Sequence, residues 1–164
     1  MTIEQTLVFV KPDGVERGIV GEIITRFERV GLTIIGMKMV WADADHAKKH
    51  YSAHVEKPFY PPVEKYVTSG PVVAFVLEGP SAVKVVRKMV GSTEPHSAAP
   101  GTIRGDYAHL TYDYVDNGDN KDLSLRNIIH ASGELDEAKE EIKLWFTPKE
   151  LHSYSLVHHK HTRG

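Results

Sequence analysis

The apolar positions of the chain fall into two periods, one of strands and one of helices, that alternate along its length. Thr6 to Val10 and Leu32 to Val40 have the short apolar-rich pattern of strands. They flank a stretch from about Ile19 to Val30 with helical spacing. Asp43 to His54 follows as a helix, with Asp43 or Asp45 as its cap. Past the break at Pro58, Pro61 and Pro62, Val63 to Thr68 makes a short helix. Val72 to Leu77 is so uniformly apolar that both of its faces are expected to be buried. Ser81 caps a helix reaching about Val90. Asn127, Ile128 and Ile129 read as the tip of a buried strand, after which Ser132 and Gly133 open an amphipathic helix from Glu134 to Phe146. The order strand, helix, strand, strand, helix, strand predicts a ferredoxin-like α+β sandwich, a four-stranded antiparallel sheet covered by helices.

Gly91 to Ser124, rich in Gly, Pro, Asp and Asn, lacks a clear period. A loop of that length inside a compact domain is usually functional, which makes it the candidate active-site loop. With 164 residues and 41% hydrophobic content, the chain is expected to form one domain, 1–164, around one core. A formal net charge of -2 argues against a general nucleic-acid binder, so no nucleic acid is required by this reading. No apolar run reaches the roughly 20 residues of a membrane span, and the start, MTIEQTLVF, lacks the basic and apolar regions of a secretion signal. The absence of cysteine fits a reducing compartment and removes disulfides and thiolate metal sites. A soluble cytoplasmic protein without membrane partners is expected.

The candidate chemistry begins at His130, which follows the apolar run of RNIIHAS, Arg126 to Ser132. At a strand-to-helix junction an imidazole can act as base, metal ligand or nucleophile, and equally as a hydrogen-bonded structural residue. Lys11, Arg87, Thr93, Arg104 and Asn127 supply the cationic, hydroxyl and amide donors that a phosphate requires. They come from separate segments, and the chain has neither a G-x-x-x-x-G-K-[ST] loop nor a dinucleotide fingerprint. A nucleotide would have to be held in another way.

Four segments, in this order, resemble the nucleoside diphosphate kinase family: LVFVKPDGVERGIVG (Leu7 to Gly21), KPFYPPVEKYVTSGPVV (Lys57 to Val73), GSTEPHSAAPGTIRGDY (Gly91 to Tyr107) and RNIIHAS. The resemblance runs from about Gln5 to Leu151. It implies the same ferredoxin-like fold and transfer of the terminal phosphoryl group of a nucleoside triphosphate, typically ATP, to a nucleoside diphosphate, by a ping-pong route through a phosphohistidine on His130. By the same resemblance Glu141 fixes the ring tautomer, and phosphates lie among Arg87, Thr93 and Arg104. Lys11 and Asn127 then reach the ribose 3'-hydroxyl and the reacting end. Tyr51 can bond the transferring group, Ser132 can bond Glu141 or cap the helix, and Phe59 stacks on the base with Val63 beside it. Mg2+ would arrive on the nucleotide rather than in a protein cage. A homo-oligomer, hexamer or tetramer, is also implied.

The chain departs from the family pattern at Ala131-Ser132-Gly133, where Gly-Ser-Asp is common, so an acidic group near the site mouth is missing. It also carries an insertion, expected as a hairpin at about 108–123 with its turn near Asp116 to Gly118, and a His-rich tail from about 152. His46, His50 and His54 have the spacing of a helical metal clip, and His158, His159 and His161 offer ligands in the tail. Two alternatives follow: a catalytically weak nucleotide-binding regulator of the same fold, and a metal-binding module.

Overall fold

Strand β1 (Ile3–Val10) shows how the sheet divides its side chains. Val8 and Val10 enter one apolar cluster, while Leu7 and Phe9 enter another on the opposite face. Strand β3 (Val72–Pro80) does the same, with Val73, Phe75 and Leu77 on the first face and Val72, Ala74 and Val76 on the second. This period of two explains why the β3 sequence is apolar throughout: both faces are covered. The structure, a computed structural model, describes residues 2–117, 120 and 123–163.

The four strands form one antiparallel sheet in the order β2-β3-β1-β4, with β2 at Thr33–Val40 and β4 at Ile129–Ala131. Helices α2 (Val20–Arg29) and α5 (Ala82–Val90) cover the first face through Ile23, Phe27, Val86 and Val90. Helix α8 (Leu135–Trp145) covers the second through Ile142 and Trp145. The expected α+β sandwich is therefore present.

Several boundaries differ from expectation for local reasons. A separate short helix α1 (Pro12–Glu16) follows β1, with Pro12 in its first turn where a missing N–H costs nothing. The helix expected from Asp43 to His54 is α3 (Ala44–His50), capped by the Asp43 side chain, followed by a 3-10 turn at Ser52–His54. Helix α4 (Tyr60–Val67) starts earlier than Val63 because Pro61 and Pro62 fit its first turn. Ser81 stands at the start of α5 but makes no side-chain cap; its φ is 49°, and the Glu4 carboxylate accepts from the Val83 amide at 3.3 Å instead. The loop from Gly91 holds helix α6 (Ile103–Tyr107), capped by the Thr102 hydroxyl. Where a hairpin arm is expected, the inserted segment forms a helical turn, α7 (Tyr112–Asp116), because the Thr111 hydroxyl accepts from the Tyr114 amide. Gly118 of the expected hairpin turn lies outside the described residues.

The tail runs back along the edge of the sheet. The His152 amide donates to Ile35 O at 2.7 Å, and Tyr154 Oη donates to Ile34 O at 2.6 Å. Helix α9 (His159–Thr162) ends beside Gly31, whose φ of +88° and lack of a side chain let Thr162 approach. Arg163 then reaches Thr33 Oγ1 at 2.7 Å.

Candidate active site

His130 is the central residue of β4, not a junction residue as expected, and pairs in register with Phe9. The strand begins late because Ile128, with φ of 70°, sits in a tight turn closed by the Ile129 amide on Asn127 O at 2.8 Å. Period two then sends Ile129 and Ala131 into the first-face core and His130 to the side of Phe9 and α8. The His130 ring stacks on Phe9 at 4.8 Å. Helix α8 buries Ala138, Glu141, Ile142 and Trp145, the spacing of its inward stripe, so Glu141 is a carboxylate in a core position.

Glu141 meets His130 there. His130 Nε2 lies 2.9 Å from Glu141 Oε1 and 3.0 Å from Oε2, and Ser132 Oγ donates to Oε2 at 2.6 Å. Ser132 Oγ in turn accepts from the Leu7 amide at 3.2 Å, so the serine serves Glu141 and β1 rather than capping α8. His50 Nδ1 is 3.5 Å from Glu141, but it accepts from Trp145 Nε1 at 3.2 Å and is held neutral by burial. The carboxylate therefore takes the His130 Nε2 proton as acceptor. His130 Nδ1 has no hydrogen-bond partner among the described residues. Burial, then the nearby Lys11, with Arg104 and Arg87 adding to it against Glu137, pushes the His130 pKa down to about 3, so the ring is neutral at ordinary pH.

His130 lines a cavity of about 660 Å³ with the expected phosphate donors Lys11, Arg87, Thr93, Arg104 and Asn127. Tyr51, Phe59 and Val63 line it as well. Arg104 donates to three backbone carbonyls, Asn127 O, Gly91 O and Ile129 O at 3.3, 3.1 and 2.7 Å; a guanidinium has five N–H groups, which leaves two for a ligand. Lys11 Nζ donates to Asn127 Oδ1 at 2.7 Å, and Asn127 Nδ2 donates to Thr93 O at 2.9 Å. Tyr51 Oη is buried without a hydrogen-bond partner among the described residues, an unused donor in the cavity that His130 lines. Phe59 is 53% exposed, a ring free to stack.

The acidic group that Gly133 fails to supply comes from α8: Glu137 Oε2 accepts from the Gly133 amide at 2.5 Å, in the space a side chain at 133 would fill. Its place in the first turn of α8 is the sequence signal that was available. No sequence signal marked His50 as a neighbour of Glu141. The helical metal clip is not formed: His46 packs edge-on to Trp145, and the one group with metal-ligand geometry among the described residues is His50, His130 and Glu141.

A family model described as nucleoside diphosphate kinase matches residues 4–151. The chain belongs to the nucleoside diphosphate kinase family. A nucleoside diphosphate kinase of Pyrococcus furiosus is 51% identical over 152 residues, covering 93% of this chain and 88% of the relative. Among solved structures, the nucleoside-diphosphate kinase of Borrelia burgdorferi, a transition state mimic with bound vanadate and ADP, has a TM-score of 0.89 at 40% identity and covers 95% of this chain and 94% of its own. A halophilic nucleoside diphosphate kinase from Halobacterium salinarum, in complex with CDP, has a TM-score of 0.85 at 40% identity, with 97% of both chains covered. As a nucleoside diphosphate kinase the chain is a phosphotransferase, and the donors around its cavity fit that chemistry.

Proposed function

We propose that His130 Nδ1 attacks the terminal phosphorus of a nucleoside triphosphate, breaking the bond to the bridging oxygen and forming an N–P bond, and that a second nucleoside diphosphate takes the phosphoryl group back off. The observation that carries this reading is the pairing of His130 Nε2 with Glu141 at 2.9 Å, which leaves Nδ1 as the free lone pair in a cavity lined by Lys11, Arg87 and Arg104. A neutral ring attacks without first losing a proton, and the positive charge that develops on it is stabilised by the carboxylate. An N–P bond is labile enough to keep both half-reactions reversible, so donor and acceptor use one site in turn.

Arg87, Thr93 and Arg104 hold phosphate oxygens, and Lys11 and Asn127 serve the ribose and the reacting end. Tyr51 donates its unpartnered hydroxyl to the transferring group. Phe59, with Val63, holds a face of the base, which gives broad base tolerance. Lys11, Arg87 and Arg104 do not ligate a hard cation, and Asp116 is the one Asp or Glu carboxylate in the described lining, too few for a protein cage, so Mg2+ fits as an ion carried by the nucleotide. When bound it neutralises phosphate charge. We read the chain as a single domain that assembles as a hexamer or tetramer; Met37 and Met39 of β2 and Trp41 just beyond its end, all exposed, support an interface between copies. No helix among the described residues is long and apolar enough to cross a membrane, and together with the absence of cysteine this supports a cytoplasmic place.

The test is incubation with terminally labelled ATP and Mg2+. The expected result is an acid-labile, alkali-stable phosphoprotein whose label chases onto added GDP; a chain that stays unlabelled would remove the histidine route.

Lys11 adds a pH dependence. Burial, reinforced by Arg104 and opposed by Asp13, brings its pKa down to about 7. The ammonium is therefore lost as pH rises through about 7 in the free enzyme, and kcat/KM is expected to fall along that limb. Phosphates in the site favour the charged form, so the limb in kcat moves to higher pH. Lys11→Met should remove the limb and lower kcat/KM by about 10- to 100-fold, the worth of one charge-assisted hydrogen bond. Steady-state rates from pH 6 to 9, taken as about one unit below and two above that pKa, check both.

A further inference from the structure

We infer that His50, Glu141 and His130 form an inhibitory site for a zinc ion, which on binding switches off the nucleophile. The inference rests on the phosphohistidine reading above and adds to it a ligand and a means of regulation.

The donor set is already assembled. His130 Nε2 is 2.9 Å from Glu141 Oε1, His50 Nδ1 is 3.5 Å from the same oxygen, and the three ligand atoms all lie within 4.8 Å of one another. Zinc bonded to imidazole nitrogen and carboxylate oxygen at about 2.0–2.2 Å sets its ligands about 3.3 Å apart, so small side-chain shifts admit the ion. Two histidines and a glutamate with one position left open suit zinc rather than a hard cation such as Mg2+. Glu141 Oε2 still accepts from Ser132 Oγ at 2.6 Å, which orients the carboxylate while Oε1 serves as ligand. The ion also has an approach of its own. All three residues line a second cavity of about 470 Å³, which Lys11, Arg87 and Arg104 do not line. Glu137, Glu140 and Glu141 outnumber Lys49 in that lining, even with Lys143 paired to Glu140, so the cavity draws cations in.

Zinc acts through the tautomer. It takes the Nε2 lone pair, the proton that Nε2 carried moves to Nδ1, and the lone pair that attacks phosphorus is gone. His50 Nδ1 exchanges the Trp145 N–H for the ion, and Glu141 Oε1 exchanges the His130 proton for it. The test is equilibrium dialysis of the full chain against Zn2+ with excess Mg2+ present, paired with the rate of labelling by radiolabelled phosphoramidate, a donor that brings no nucleotide to chelate the ion. Wild type is expected to bind zinc, and its labelling should fall in step with occupancy and return on addition of a chelator. In 15N-histidine NMR the zinc form should carry the His130 proton on Nδ1. His50→Asn, whose carboxamide oxygen can still accept from Trp145, should weaken zinc by at least about tenfold and lose the inhibition, each rate being compared with that variant's own zinc-free rate. Glu141→Gln, read by dialysis alone, should weaken zinc as well and serves where the first variant does not fold.

Zinc held equally well by wild type and both variants would place the ion elsewhere, as among the tail histidines, and overturn the site. So would a wild type that binds no zinc. Zinc bound at His130 with labelling at the zinc-free rate would overturn the inhibition. If zinc-free wild type accepts no label, the phosphohistidine reading fails and the inhibition falls with it, while dialysis and NMR still decide the ion site; if zinc-free wild type is labelled and zinc changes nothing, the zinc inference alone fails.

Discussion

His130→Ala is expected to abolish phosphoenzyme formation and to lower turnover by at least about 10⁴-fold, because His54, the other imidazole lining the cavity, is exposed and has no carboxylate partner among the described residues to orient it. The other cavity groups named above are unsuited to the role. The Tyr51 phenol is pushed well above its ordinary pKa by burial, so it does not ionise to attack. The variant should still fold. Its ring stacks on Phe9 and partners Glu141, so removal leaves a small void and a buried carboxylate with Ser132 as its remaining close donor. A cost of about 1–3 kcal/mol is expected from the unsatisfied group, short of the stability of an ordinary domain. Nucleotide binding, which the proposed function assigns to Arg87, Arg104 and Phe59, should persist. Quenched-flow labelling with a binding titration on the same sample separates the two effects. Residual label at the wild-type rate would place the nucleophile elsewhere.

Glu141→Gln is the second large effect, and its cause is the tautomer. The carboxylate accepts from His130 Nε2 and from Ser132, so both of its neighbours act as donors. A carboxamide has one acceptor atom and one donor group. If the amide N–H faces the ring, Nε2 becomes the acceptor and the proton moves to Nδ1, which removes the attacking lone pair. Replacement of a carboxylate that orients a catalytic histidine can cost up to about 10⁴-fold; here about 100-fold in kcat is expected, since the amide can also turn its oxygen to the ring. KM should change little because Glu141 does not line the nucleotide cavity. A rise in KM with unchanged kcat would assign Glu141 to binding instead.

The sandwich and its site differ in how far the sequence disclosed them. The apolar run of β3 and the helical spacing of α2 and α8 are strong periodic signals, and they led to the correct sheet and the correct layers. Glu141 was legible through the family resemblance alone; by its neighbours it is one more charge in the run Glu134 to Lys143, and its inward place becomes evident once α8 is packed on the sheet. The position of His130 was less legible. The run Asn127 to Ile129 looks like a strand by composition, but the positive φ of Ile128 delays the start of β4 to Ile129 and puts the histidine in the middle of it. No pattern in a single sequence announces a β-branched residue in that conformation. The inserted segment was misread because aromatic residues near Asn and Gly imitate a hairpin, whereas the Thr111 cap selects a helical turn. The compensation of Gly133 by Glu137 depends on a side chain folding back across one helical turn, which becomes evident only once α8 has a fixed start.

The most direct measurement is the ring position of the phosphoryl group, read by phosphorus–nitrogen NMR on phosphoenzyme with 15N-labelled histidine. Phosphorus coupled to Nδ1 of His130, with Nε2 still protonated toward Glu141, is the predicted result. Phosphorus on Nε2, or on a different histidine, would contradict the account, because Glu141 would then occupy the place of the attacking phosphate.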